Sequence, residues 1–294
     1  MRLAGAQCQH PLESRLDRMQ CSSLLSPART AALLVTCGCA AMAAAQNTPA
    51  SASSAANNDW MAQTAKMYYS SSKAGLKGFD CALKPDWRAF FASKSGGDVK
   101  ASDEPAVTLL NSVKTAVHAR MDGGSIIDWD PPAQQLDSTQ TALLSQMHGA
   151  LNQMVQGFMQ FWSPFIESQV VPDTAEGLEM TTTADGGRQF HVATPQVEVT
   201  ETFDSGHVLR QYNVTMSGTR IQMTPAYTAD SHGLLITHFH AFVEPMNDPQ
   251  KNMEMNVDVN YQWLENFPVP AQLNMDVVGV AGLNIGFANC TVQH

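Results

Sequence analysis

His238-Phe-His240-Ala-Phe-Val-Glu244 is the stretch of this chain with the most chemistry in it. In an extended strand, side chains alternate, so positions 238, 240 and 244 share one face. Two imidazoles and a carboxylate are good ligands for zinc, iron or manganese. The trio is therefore a candidate metal site, and through it the chain would be a metal-dependent enzyme or a metal-binding protein. The competing reading is a histidine pair on the polar face of a surface strand. Asp128 and Asp130 flank Trp129 and could exchange protons, although they read more simply as a solvated strand end. Asp204-Ser-Gly-His207 carries hydrolase side-chain types but fits a hairpin turn. Met246, Met253 and Met255 offer thioethers to copper, yet methionine more often fills irregular apolar space. There is no Gly-x-Ser-x-Gly elbow, His-Glu-x-x-His, Gly-rich phosphate loop or Cys-x-x-Cys. The motifs thus favour a binding protein over an enzyme, and they call for no cofactor.

These residues lie in a chain that changes character along its length. Thr30 to Ala45 is small, apolar and uncharged, follows Arg29, and ends in the small-x-small pattern Ala43-x-Ala45 before Gln46. That order predicts a signal peptide over residues 1–45, with Met19 as a more ordinary start. Residues 46–58 are small and polar and read as a flexible linker. Residues 59–294 then form one domain. Export to the periplasm or the medium follows. Lipid anchoring through Cys37 or Cys39 is the alternative, since each ends a near-lipobox. Cys81 and Cys290 are the cysteines that remain after cleavage. In an oxidising compartment they suggest one disulfide, worth up to roughly 4–5 kcal/mol; two separate buried thiols are the other possibility.

The formal net charge is −10, and cleavage would remove four basic and two acidic residues, making it −12. From Gly177 onward twelve acids face only Arg188, Arg210, Arg220 and Lys251. Such a surface repels phosphate backbones, so nucleic acid is not an expected partner. No later segment reaches 18 uninterrupted apolar residues, and no transmembrane helix is expected in the mature chain.

Asp59 is a plausible N-cap for a helix over 59–75, and Pro85 starts a short helix through Phe91. Period-two alternation predicts a strand at 113–121, turned by Asp122-Gly-Gly124 into Ser125–Trp129. Residues 138–166 carry Leu143, Leu144, Met147, Leu151, Met154, Val155, Phe158, Phe161, Trp162, Phe165 and Ile166 at helical spacing. Pro164 should kink that helix or end it near Trp162. It contains no Asp, Glu, Lys or Arg. Its other face is Gln146, His148, Asn152, Gln153, Gln156 and Gln160, as suits a helix that is enclosed rather than solvated. The remainder reads as a β-meander with strands at Leu178–Ala184, Gln189–Ala193, Val197–Phe203, Val208–Met216, Arg220–Tyr227, Leu234–Val243, Met253–Trp263, Ala271–Val278 and Leu283–Val292. The fold class is therefore α+β: an antiparallel meander forming a curved sheet or half-barrel, packed against a long amphipathic helix and N-terminal helices.

This layout resembles the lipoprotein-carrier (LolA-like) class of periplasmic proteins. Local similarity is concentrated in Asn266-Phe-Pro-Val-Pro270, the alternating Ala271–Val278 and Leu283–Val292. The chain also resembles exported bacterial proteins of unknown function. The His-x-His-x3-Glu spacing is similar to the first metal motif of cupins, without its closing glycine. The carrier resemblance implies an antiparallel half-barrel that holds acyl chains against helices. The expected lining is Met147, Leu151, Met154, Phe158 and Trp162 from the helix, with Met255, Val257 and Val259 opposite. An apolar or lipid ligand is then the expected partner. A structural envelope protein with a simply packed core is the third reading.

Overall fold

The computed structural model describes residues 52–121, 124–166, 170–172, 178–279 and 281–294. The expected leader, Cys37, Cys39 and most of the Asp122-Gly-Gly124 turn lie outside them. The N-terminal helices are α1 (Ala52–Ala65) and α2 (Ser71–Ala74), followed by β1 (Gly78–Pro85), α3 (Trp87–Ser95) and α4 (Glu104–Asn111). A hairpin of β2 (Lys114–Arg120) and β3 (Ser125–Asp130) leads into α5 (Ser138–Ile166). The meander is β4 (Glu179–Thr182), β5 (Arg188–Ala193), β6 (Val197–Phe203), β7 (Leu209–Met216), β8 (Thr219–Asp230) and β9 (Gly233–Pro245). It is completed by β10 (Met253–Leu264), β11 (Phe267–Val277) and β12 (Ala281–Gln293).

All twelve strands join one sheet in the order β3-β2-β1-β12-β11-β10-β9-β8-β7-β6-β5-β4, and every pairing is antiparallel. The last strand thus returns to the first, and β3 and β4 are the two edges. Cys81 on β1 and Cys290 on β12 form a disulfide across that return. Burial follows the strand period. On β8, Thr219, Ile221, Met223 and Pro225 are buried, and the residues between them are exposed. The buried side chains of sheet and helices form one continuous core. Register slips at Asp80/Ala82, Thr202/Phe203, Ala226/Tyr227 and Asn260/Tyr261 mark β-bulges. Each bulge bends its strand and sharpens the local twist.

Several helix boundaries differ from the sequence reading: Pro85 ends β1, and the helix expected from Pro85 through Phe91 is α3, capped by Asp86 and running on to Ser95. Residues 52–58, read as linker, are the first turns of α1, a helix held in place where Trp60 and Met61 pack against the core. Asp59 therefore lies inside α1 and does not cap it. That helix stops at Ala65, and Tyr68 bridges to Leu234 before α2. The bridge explains Gly233: at φ 125°, a Cβ there would sit 2.8 Å from the Met67 carbonyl oxygen. In α5, Asp137 and Gln140 cap each other. The Gln140 N–H donates to Asp137 Oδ1 at 2.8 Å, and the Asp137 N–H donates to Gln140 Oε1 at 3.1 Å. The helix continues through Pro164 to Ile166. In the last turn proline forfeits only one backbone bond, which packing of Phe165 and Ile166 outweighs. Among the described residues, no helix is long and apolar enough to cross a membrane.

Candidate functional site

The apolar residues singled out on α5 and β10 do meet in one core. Met147, Leu151, Phe158, Trp162, Met255, Val257 and Val259 are each at most 8 % exposed, and Met154 is half-buried against them. Phe158 stacks on Trp162 at 5.5 Å, Phe79 of β1 meets Trp162 edge-on at 6.3 Å, and Phe161 lies 6.4 Å from Phe239 of β9. The Trp162 Nε1–H donates to the Tyr261 hydroxyl at 2.8 Å, and that hydroxyl donates to the Ile236 carbonyl at 2.6 Å. These side chains pack together in one cluster. The amide face of α5 behaves in two halves: Gln146 is exposed, whereas Asn152, Gln153, Gln156 and Gln160 are half-buried. Half-burial on the free side accounts for the lack of charge, since an ionised group there would lose hydration.

A cleft of about 600 Å³ lies elsewhere, beside α1 and α2. Met61, Tyr68 and Tyr69 form part of its wall, together with Lys66, Lys73 and His232. Sequence reading did not find it, because the α1–α2 connection and the β8–β9 turn, far apart in sequence, are brought together by the Tyr68–Leu234 bridge.

The metal trio does not converge. His238, His240 and Glu244 lie on the outer face of β9, each with its own partner on a neighbouring strand. His238 Nδ1 sits 2.8 Å from Asp258, His240 Nε2 2.9 Å from Glu254, and Glu244 accepts from Arg220 at 3.3 Å. The register sets these pairs, with Asp258 directly opposite His238 on β10. Among the described residues no three His, Cys, Asp or Glu side chains are grouped to hold a metal. The thioethers also diverge, with Met246 exposed in a turn and Met255 in the core. Asp204-Ser-Gly-His207 is a turn, as the pattern suggested. Asp204 Oδ1 accepts from the Gly206 and Val208 N–H groups at 2.9 Å. The His207 ring stacks 4.5 Å from Trp60 and pins the turn to α1.

Asp128 has a role that needs the register to see. It and Asp80 bracket His118 at 2.9 and 2.7 Å, across β3, β2 and β1. Glu179 and Glu198 bracket His191 at 3.2 and 3.1 Å, across β4, β5 and β6. Each edge of the sheet thus carries a carboxylate–imidazole–carboxylate bridge over its outer three strands. Hydrogen bonds to Asp80 and then Asp128 raise the His118 pKa, and those to Glu179 and Glu198 raise that of His191. A histidine raised on folding stabilises fully below its unfolded pKa of about 6.5, and the contribution fades as pH rises through the folded value. These bridges therefore add a little to a melting temperature that falls from pH 6 to pH 8, a small share because the pairs are largely solvated; the Glu201 carboxyl of β6, which burial pushes up to about 8, acts in the same direction and more strongly. In a Glu201→Gln background, which removes that carboxyl, a His118→Gln, His191→Gln double variant should flatten the remaining slope; an unchanged slope in calorimetry would exclude these bridges as its source.

The inner face holds one group that sequence reading passed over. Glu201 lies on the same face of β6 as Val197, Val199 and Phe203, and is half-buried. Burial pushes its carboxyl up to about 8, so it is mostly neutral at pH 7. Nearby, the Tyr227 hydroxyl is buried without a hydrogen-bond partner among the described residues. The signal was present in the alternation Val197-x-Val199-x-Glu201-x-Phe203, where a carboxylate takes an apolar turn.

The chain matches no known protein-family profile and no curated protein.

Proposed function

We propose that the protein is an exported carrier that holds an apolar ligand, of the acyl-chain kind, between α5 and a curved, half-barrel sheet. The observation that carries this reading is a 29-residue helix without Asp, Glu, Lys or Arg, whose apolar side chains join the inner-face core of a twelve-strand sheet. A helix without ionised groups can part from the sheet to admit an apolar ligand without drawing a charge into that space. Methionines at Met147, Met154, Met159, Met223, Met255 and Met275 suit this role, because unbranched thioethers repack around variable apolar shapes. This core is then the ligand-free arrangement, and ligand enters by displacing α5 from β10.

Native mass spectrometry of protein purified from cells tests the reading. A co-purifying lipid is expected; a stoichiometric metal would favour the His238, His240, Glu244 alternative, and neither would favour a structural envelope protein. Met154→Lys offers a finer check. The half-buried site tolerates the change, so the circular dichroism spectrum should be unaltered. Bound lipid should fall about tenfold, the equivalent of losing part of one buried methionine's contact. Unchanged lipid content would count against α5 as the ligand surface.

A further inference from the structure

The inner face can be followed strand by strand. Met180, Phe190, Glu201, Tyr212, Met223, Ala241, Met255 and Val277 are successive register partners from β4 to β11. Seven members of that row are apolar or aromatic, and the eighth is a carboxyl group. The strand carboxylates Asp80, Asp128, Glu179, Glu198, Glu244, Glu254 and Asp258 instead pair with His or Arg on the outer face, and Asp130 and Asp276 are exposed to solvent. Glu201 has no such partner among the described residues. Two further observations separate it from an accident of packing. Tyr227, two strands away on the inner face of β8, buries an unsatisfied hydroxyl. Solvent also reaches this part of the inner face, because Met180, Val197, Val199, Glu201 and Tyr227 are all only half-buried. An unsatisfied donor and an unpaired carboxyl on an apolar surface are each costly unless something completes them.

We propose that Glu201 and the Tyr227 hydroxyl are a hydrogen-bonding anchor for the uncharged polar head of a lipid, an ester carbonyl or hydroxyl, whose chain lies along the apolar row. The proposal rests on the carrier reading and names its ligand class. A neutral head follows from the surroundings. The titratable groups facing Glu201 are Tyr212 from β7, Tyr227 from β8 and Tyr68 from the α1–α2 connection. The Asp204–Arg210 pair lies beyond Tyr68 and is internally neutralised at 2.7 Å. Phe190 flanks from β5, and α5 presents Phe165 to Tyr212 at 5.6 Å. No lysine or arginine among these groups is free to meet an anionic head. A protonated Glu201 donates to an ester carbonyl, and Tyr227 supplies a second donor.

The test uses the delipidated full chain, a neutral naphthylamine dye as probe of the apolar hollow, and competition by mono-oleoylglycerol or oleate. The dye should bind, and at pH 7 mono-oleoylglycerol should displace it at about tenfold lower concentration than oleate, the worth of one or two good hydrogen bonds. Glu201→Leu should erase that preference while dye binding persists. Glu201→Gln keeps a neutral donor, so it should retain the preference. In the parent, glycerolipid affinity should fall as pH rises through about 8, where the carboxyl ionises, and in Glu201→Gln it should not. Tyr227→Phe should lower the preference without abolishing it. Dye binding with equal displacement by both lipids, or a preference untouched by Glu201→Leu, overturns the anchor and leaves the carrier reading standing. Failure of the dye and both lipids to bind overturns the carrier reading and the anchor together.

Discussion

Trp162→Ala should destabilise the protein by about 3–5 kcal/mol, the range for deleting a large aromatic from a packed core. Its indole is 0 % exposed and is enclosed by Phe158, Phe79 and Tyr261, with ring centroids at 5.5, 6.3 and 6.5 Å. Truncation loses the transfer free energy of the ring and leaves a cavity between α5, β1 and β10 that those elements cannot fully close. It also deprives the Tyr261 hydroxyl of its donor, although that hydroxyl keeps its own bond to Ile236. Trp162→Phe separates the two contributions. It keeps most of the volume and loses the Nε1–H, so about 1–2 kcal/mol is expected. Urea unfolding measures both, with a lower midpoint at unchanged slope. If the alanine variant lost less than about 1 kcal/mol, burial of Trp162 would not be what docks α5, and the proposed ligand surface would lose its support.

Period-two patterning located the sheet well, because one face of each strand is buried and the other is wet. Met253–Trp263 was read from Met-x-Met-x-Val-x-Val-x-Tyr, and β10 runs Met253–Leu264. The same alternation does not reveal where a partner strand carries an extra residue. The slip opposite Tyr227 depends on Thr237 of β9 being left unpaired, which only the paired strands define. Pairing partners were equally hidden. His238 and Glu244 share a strand face, which is all that spacing can say. Whether they meet a metal or separate carboxylates depends on what β8 and β10 place opposite them. Short helices were the other gap: α4, only Glu104–Asn111, has too few turns for a periodic signal. Glu201 was legible but passed over. It belongs to no cluster of chemical groups and stands out only because its neighbours in register are apolar or aromatic.

Replacing both Cys81 and Cys290 by serine should cost about 2–5 kcal/mol, lowering the melting temperature by about 5–15 °C for a domain of this size. The reason is topological. The two cysteines are 209 residues apart, and they join the first strand of the sheet to the last. Pairing of β1 with β12 is the sheet contact that attaches the β1–β2–β3 unit to the meander. It is also the pairing with the greatest sequence separation, so an uncrosslinked chain must pay the largest loop-closure entropy to form it. The crosslink sits where the ladder is interrupted, between Asp80↔Thr291 and Ala82↔Ala288, so it spans the point at which backbone pairing lapses. Cys81 is buried, and serine there would also place a hydroxyl in apolar surroundings. Cys81→Ala, Cys290→Ala removes that second cost and isolates the crosslink. Both double variants should show a steeper dependence on urea than the parent, because an uncrosslinked unfolded chain exposes more surface. Thiol labelling of the unfolded, non-reduced parent should modify neither Cys81 nor Cys290. Labelling of both would mean that the β1–β12 return is held by backbone pairing and burial alone, and the melting temperatures of parent and variants should then differ by no more than the burial cost of serine.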